Sequence, residues 1–202
     1  MARRALAASI CLLIAGCGGE DLDFDDRDKA SVGSSDPVGS VQGIDLDVRD
    51  VIGIVDSFEY QSTKYSTLRI ALTDRGGICS MASEHTMPGD TVALALQVQT
   101  YDLASQPPPI AAGRYDLGVG IDEQGHLREV VARFSSTDDE CREQIEGTGL
   151  ADEGTITVDE VSGESARGSF TLRFGGDALN GEFDAPLCAL ELPFEATCTE
   201  AI

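Results

Sequence analysis

The sequence predicts an all-β fold, an antiparallel β-sandwich of about eight or nine short strands, with a closed or partly closed barrel as the alternative. Apolar and polar residues alternate over short runs, glycine-bearing turns separate these runs, and helical spacing is almost absent. Composition agrees. With 22 Gly, no Trp, 4 Tyr and 7 Phe in 202 residues, the chain suits strands joined by tight turns better than a helical bundle.

Strands are expected from about Ile44 onward. A short apolar run, Val51-Ile-Gly-Ile-Val55, comes first. Leu68, Ile70 and Leu72 then alternate with Thr67, Arg69, Ala71 and Thr73, the period-two signature of a half-buried strand. Val92, Leu94, Leu96 and Val98 do the same against Ala93, Ala95, Gln97 and Gln99. Tyr115, Leu117 and Val119 follow the breaker Pro107-Pro108-Pro109, and Val130, Ala132 and Phe134 follow the turn at Gly125.

The C-terminal third gives the plainest pattern. Gly154-Thr-Ile-Thr-Val, Gly168-Ser-Phe-Thr-Leu-Arg-Phe and Leu179-Asn-Gly-Glu-Phe-Asp read as a three-stranded meander with turns at Ser162-Gly163-Glu164 and Gly175-Gly176-Asp177. Ile156, Val158, Phe170, Leu172, Phe174, Leu179 and Phe183 are expected on one face; Thr157, Thr171, Arg173 and Glu182 are expected to face water. Residues 187–196, interrupted by Pro193, read as an edge strand or irregular segment. Only residues 79–85 suggest a helix, of one or two turns before Pro88.

The N-terminus carries an address. Arg3 and Arg4 precede an apolar run over residues 5–15, too short for the ~20 residues that span a bilayer. The run ends in Leu13-Ile14-Ala15-Gly16-Cys17, which resembles the lipobox of bacterial lipoprotein precursors. The resemblance implies cleavage before Cys17 and acylation of that cysteine, with the lipid as the link to a membrane. Two or three chains, at about 0.8 kcal/mol per buried methylene, anchor stably where one binds marginally. Gly18, where an Asp often signals inner-membrane retention in Gram-negative lipoproteins, implies the outer membrane. The expected division is a signal peptide over 1–16, an acidic tether over 17–43 and a β-sandwich domain over 44–202. The tether carries Glu20, Asp21, Asp23, Asp25, Asp26 and Asp28 and few large apolar residues, too few to offset its ordering entropy. As a coil of about 26 residues it spans on the order of 30 Å.

The ending Gly181-Glu-Phe-Asp-Ala-Pro-Leu-Cys188 resembles a Gly-x-Phe-x-Ala-Pro-x-Cys closing motif of uncharacterised bacterial envelope lipoproteins. That resemblance implies a β-rich domain and an envelope address, and no activity.

Charge narrows the partners. With 36 acidic and 14 basic residues the chain carries −22, and loss of Arg3 and Arg4 with the leader takes it to −24. Such a field repels nucleic-acid phosphates and anionic headgroups, so nucleic acid is not an expected partner. Of six cysteines, Cys11 falls in the leader and Cys17 is the acylation site, leaving Cys79, Cys141, Cys188 and Cys198. Four cysteines in an exported protein suggest two disulfides with three connectivities open; four free thiols are the alternative. The short separation of Cys188 and Cys198 around Pro193 favours that pair, with Cys79 joined to Cys141.

No catalytic set, cofactor or metal site emerges. There is no Cys-x-x-Cys, no His-Glu-x-x-His and no Gly-x-Ser-x-Gly, and His85 and His126 are the only imidazoles. The run Asp21-x-Asp23-x-Asp25 lacks the Gly and Glu that a calcium loop needs at its sixth and twelfth positions, and reads as solvated tether. Asp138-Asp139-Glu140 beside Arg142 reads as a polar loop. The expected function is a membrane-anchored, non-catalytic envelope module that binds a protein or glycan partner or plays a structural part. A calycin-like barrel carrying a small apolar ligand is the alternative, and a core filled by Phe134, Phe170, Leu172, Phe174 and Phe183 counts against it.

Overall fold

Period-two alternation sorts the strands into two layers that share one apolar interior. The computed structural model describes residues 33–83, 86–189 and 197–198. One antiparallel sheet contains β1 (Val38–Val41), β2 (Ile44–Asp45), β7 (Gly113–Asp116), β10 (Glu153–Val161), β11 (Ser165–Phe174) and β12 (Asp177–Pro186), in the order β2-β1-β12-β11-β10-β7. The other contains β3 (Asp50–Tyr60), β4 (Thr63–Thr73), β6 (Val92–Asp102), β8 (Gly118–Ile121) and β9 (Leu127–Ser136), in the order β3-β4-β6-β9-β8. Neither sheet closes into a barrel. A short helix α1 (Ile78–Ser83) and a parallel pair, β5 (Thr86–Met87) with β13 (Thr197–Cys198), complete the described elements.

The core lies between the sheets. Ile156, Val158, Phe170, Leu172, Phe174, Leu179 and Phe183 are all buried on the inner face of the six-stranded sheet, as the alternation predicts. Leu68, Ile70, Leu72, Leu94, Leu96, Val98, Val130, Ala132 and Phe134 face them from the other sheet. Phe134 and Phe174 meet edge to face across the interior, with centroids 6.1 Å apart.

The Gly-x-Phe repeat has a packing reason. In the β11–β12 ladder Gly168 lies opposite Phe183 and Phe170 opposite Gly181. All four point inward, so each ring lies over the glycine of the facing strand. A Cβ on Gly168 meets the Thr157 carbonyl oxygen and lies 2.8 Å or less from the Phe183 ring, at 2.7 Å; one on Gly181 lies 2.8 Å from the Phe170 ring. Glycine therefore makes room for the aromatic core rather than loosening the strand.

Three expectations change. Tyr115, Leu117 and Val119 do not form one strand. The Leu117 amide still bonds to Gly154 on the six-stranded sheet, whereas Gly118, at φ +115°, turns the chain so that β8 joins the other sheet against β9. Val119 consequently faces outward and is exposed. Residues before Ile44 also belong to the sandwich, because Ser34 bridges Asp184 and β1 pairs with β12, with Val41 in the core. Main-chain bonds hold this stretch, so its side chains alternate too little to be recognised. Finally, Cys79 is bonded to Cys188 and not to Cys141. The reason is spatial: Cys188 follows β12 where its amide donates to the Gly53 carbonyl, beside Ile52, Ile54 and the Ile78 of α1. Sequence separation carried no information about that meeting. Cys141 is also disulfide-bonded.

Replacing Gly168 by Ala is expected to destabilise the protein by about 1–3 kcal/mol through overpacking, measured by urea denaturation. Cys188→Ala opens a bridge between residues separated by 109 positions and is expected to cost about 2–5 kcal/mol. Non-reducing peptide mapping that fails to join Cys79 to Cys188 contradicts the assignment.

Candidate functional site

The two termini of the long strand β3 lie in different surroundings. Near its start, Gly33 sits against Val51 and Pro186, so the chain enters the sandwich there, beside the Cys79–Cys188 bridge. Phe58 is seven residues further along, about 23 Å away at strand rise.

At that far end the sheet register builds a row. Phe58 pairs with Tyr65, Tyr65 with Tyr101, Tyr101 with Leu127, and Leu127 with Ile121. These positions alternate with inward-facing Val55, Leu68, Val98 and Val130 at odd offsets, so all five side chains stand on the outer face. Phe58 and Tyr65 stack with centroids 4.9 Å apart and planes 13° from parallel, matching the spacing of neighbouring strands. Tyr101 is 5.8 Å from Tyr65 and tilted by 34°. Two stacked rings thus lie beside a third, tilted one. Leu127 and Ile121 extend the row and are exposed, as is Tyr60 nearby.

The next row inward is polar. Asp56, Thr67, Gln99 and Glu129 are successive cross-strand neighbours on the same face. The third row holds Ile54, Arg69, Gln97 and Val131. Several of these polar groups are short of partners. Thr67 Oγ1, Arg69 Nε and Gln97 Oε1 are buried without a hydrogen bond among the described residues, although Gln97 is only 3% exposed. The Gln97 amide nitrogen lies 3.5 Å from Gln99 Oε1, at the limit of a hydrogen bond. Burial lowers the Arg69 pKa, with partial compensation from the Asp56 charge. Partial burial raises the Glu129 pKa. Desolvation also raises that of the Tyr101 phenol, with the Glu129 charge adding to the effect.

The remaining candidates are accounted for by local structure or fall elsewhere. Cys17, the acidic run 21–28 and His85 lie outside the described residues. Cys198 pairs with Met87 through the β13 ladder. His126 Nδ1 is 2.9 Å from Asp122 Oδ2, and the same carboxylate accepts the Gln124 and His126 amides, an arrangement that ties the β8–β9 turn. Burial pushes the Asp122 carboxyl up, but its hydrogen bonds to His126 bring it below the ordinary value. Asp138 accepts the amides of Glu140 and Arg142 and the Arg142 guanidinium, which holds its carboxyl low and folds the loop on itself. Among the described residues no three His, Cys, Asp or Glu side chains cluster as a metal site. A concavity of about 980 Å³ lies on the outer face of β11 and β12, but its cation, Arg167, is already engaged by Asp184 at 3.1 Å and Glu160 at 3.8 Å.

Comparison with protein-family models, with curated proteins and with solved structures found no match. The site therefore rests on its own geometry.

The Glu129 carboxylate offers a test by pH. Its folded pKa is raised, so the protonated form is favoured by folding and the ionised form costs stability once pH exceeds that value. Glu129→Gln is expected to raise Tm by a few degrees at pH 7, and the gain is expected to vanish below about pH 4, the ordinary range of glutamate. Equal Tm values at both pH values contradict an uncompensated carboxylate.

Proposed function

We propose that this chain is a non-catalytic binding module of a bacterial cell envelope, tethered to the outer membrane through acylated Cys17. The observation that carries the reading is the separation of two ends: the chain enters the sandwich beside Val51 and Pro186, and the aromatic row stands at the other end of β3. A tether joined at the first end leaves the second free to meet a partner. A rigid two-sheet body suits this task because strands hold the outer row in fixed register while the core fixes the strands. The dense acidic charge supports the same reading, since it keeps the domain in solution and off anionic headgroups. A calycin-like carrier is disfavoured. The space such a barrel leaves for its ligand is taken here by Phe134, Phe170, Leu172, Phe174 and Phe183, between two open sheets.

In bacteria fed an alkyne analogue of palmitate, the wild-type chain is expected to take up label and to sediment with membranes. Cys17→Ala is expected to lose the label. A wild-type chain that carries no acyl group, or a variant labelled as strongly as wild type, sinks the anchoring.

A further inference from the structure

We infer that Cys141 and Cys198 form a second disulfide, which fastens the C-terminal chain to the turn after β9 and leaves the Cys17 sulfur for acylation. Cys141 is disulfide-bonded, and Cys79 and Cys188 are committed to each other, so its partner is Cys11, Cys17 or Cys198. Cleavage before Cys17 removes Cys11, and a thioether to the lipid occupies the sulfur of Cys17, which leaves Cys198. That elimination rests on the anchoring reading above; the backbone register reaches the same pair without it.

The backbone brings the two cysteines to one region. β13 runs parallel to β5 with Cys198 opposite Met87. Two residues beyond Met87, Gly89 packs against the turn that holds Cys141. A Cβ on Gly89 would lie 2.9 Å from the Asp138 carbonyl oxygen and 3.1 Å from that of Asp139. The Asp138 oxygen accepts both the Asp90 amide and the Cys141 amide, each at 2.9 Å. The stretch 87–90 thus borders both β13 and the Cys141 turn.

Chain direction agrees. Cys188 is bonded to Cys79 in α1, and Cys198 lies beside Met87 in β5. Cys198 is ten positions beyond Cys188 and Met87 is eight beyond Cys79, so the C-terminal chain meets one segment at two matching points, in the parallel sense that β13 shows.

Such an end needs a further hold. A parallel ladder of two residues is weak, since parallel pairing is the less stable kind and chain ends fray unless tied down. Cys141 itself has φ +64°, a left-handed conformation that a β-carbon disfavours and that glycine ordinarily supplies. A cysteine at that position is accounted for by the bond it makes rather than by the turn.

The bond forms by exchange with a protein disulfide donor of an oxidising compartment. The thiolate of one cysteine attacks the donor disulfide and releases one donor thiolate. The thiolate of the other then attacks the mixed disulfide and releases the second. The two cysteines are oxidised, and the donor takes up their two electrons and two protons and leaves as a dithiol.

The test is a non-reducing peptide map of the full chain, purified from cells lysed into excess iodoacetamide and cut with trypsin and a glutamyl endopeptidase. Glu191 and Glu195 lie between Cys188 and Cys198, so the second enzyme separates these cysteines. A Cys141 peptide joined to a Cys198 peptide, and lost on reduction, is the expected result. In Cys198→Ser that linked pair is expected to be lost and Cys141 to become alkylated. The wild-type map needs no variant, so poor folding of Cys198→Ser does not decide the matter. Cys141 joined to Cys17 overturns the pairing and the anchor together. Cys141 alkylated in the wild type, or joined to any other cysteine, overturns the pairing alone, and palmitate uptake reports on the anchor separately.

Discussion

An unbroken antiparallel register across β3, β4, β6 and β9 is the constraint on which both faces of this protein depend. From Thr73 to Lys64 every residue of β4 has a partner on β3 and on β6, with no bulge between. Because side chains alternate across a strand, one register sets two patterns at once. The inner one is the core that ends in Phe134. The outer one is the sequence of rows from Phe58, Tyr65 and Tyr101 to Asp56, Thr67, Gln99 and Glu129. A slip of one residue would turn the second set toward the core and the first away from it.

The two sheets divide the work differently. The six-stranded sheet carries the reciprocal Phe–Gly pairs of β11 and β12, which thicken the core, and its outer face is a set of mutually satisfied charges around Arg167. The five-stranded sheet carries longer strands, and the polar groups of its outer face are left short of partners. Unpaired buried donors and acceptors, and a carboxylate held above its ordinary pKa, oppose folding. The Cys79–Cys188 bridge stands at the opposite end of β3, where it clamps α1 and the exit of β12 to the sheet.

Much of this was legible in the sequence, and for a simple reason. Alternation in β4, β6, β10, β11 and β12 is a local property, so the fold class and the inner-facing residues of the C-terminal meander follow from reading each strand alone. The aromatic row was not legible. Phe58, Tyr65, Tyr101, Leu127 and Ile121 belong to five strands, and only their mutual register aligns them. One signal was present: residues 92–100 contain no charge, which suits a strand buried on both faces better than one with a watered side. The corner at Gly118 was hidden because Tyr115, Leu117 and Val119 keep period two while the chain changes sheets. The Cys79–Cys188 pairing was hidden because it depends on where β12 ends in space.

The register is most directly tested by NMR of the full chain, through proton–proton contacts across β4, β6 and β9. Contacts are expected between Tyr65 and Tyr101, between Thr67 and Gln99, and between Gln99 and Glu129. Contacts displaced by one residue along β4 or β6, or none between these pairs, contradict the account.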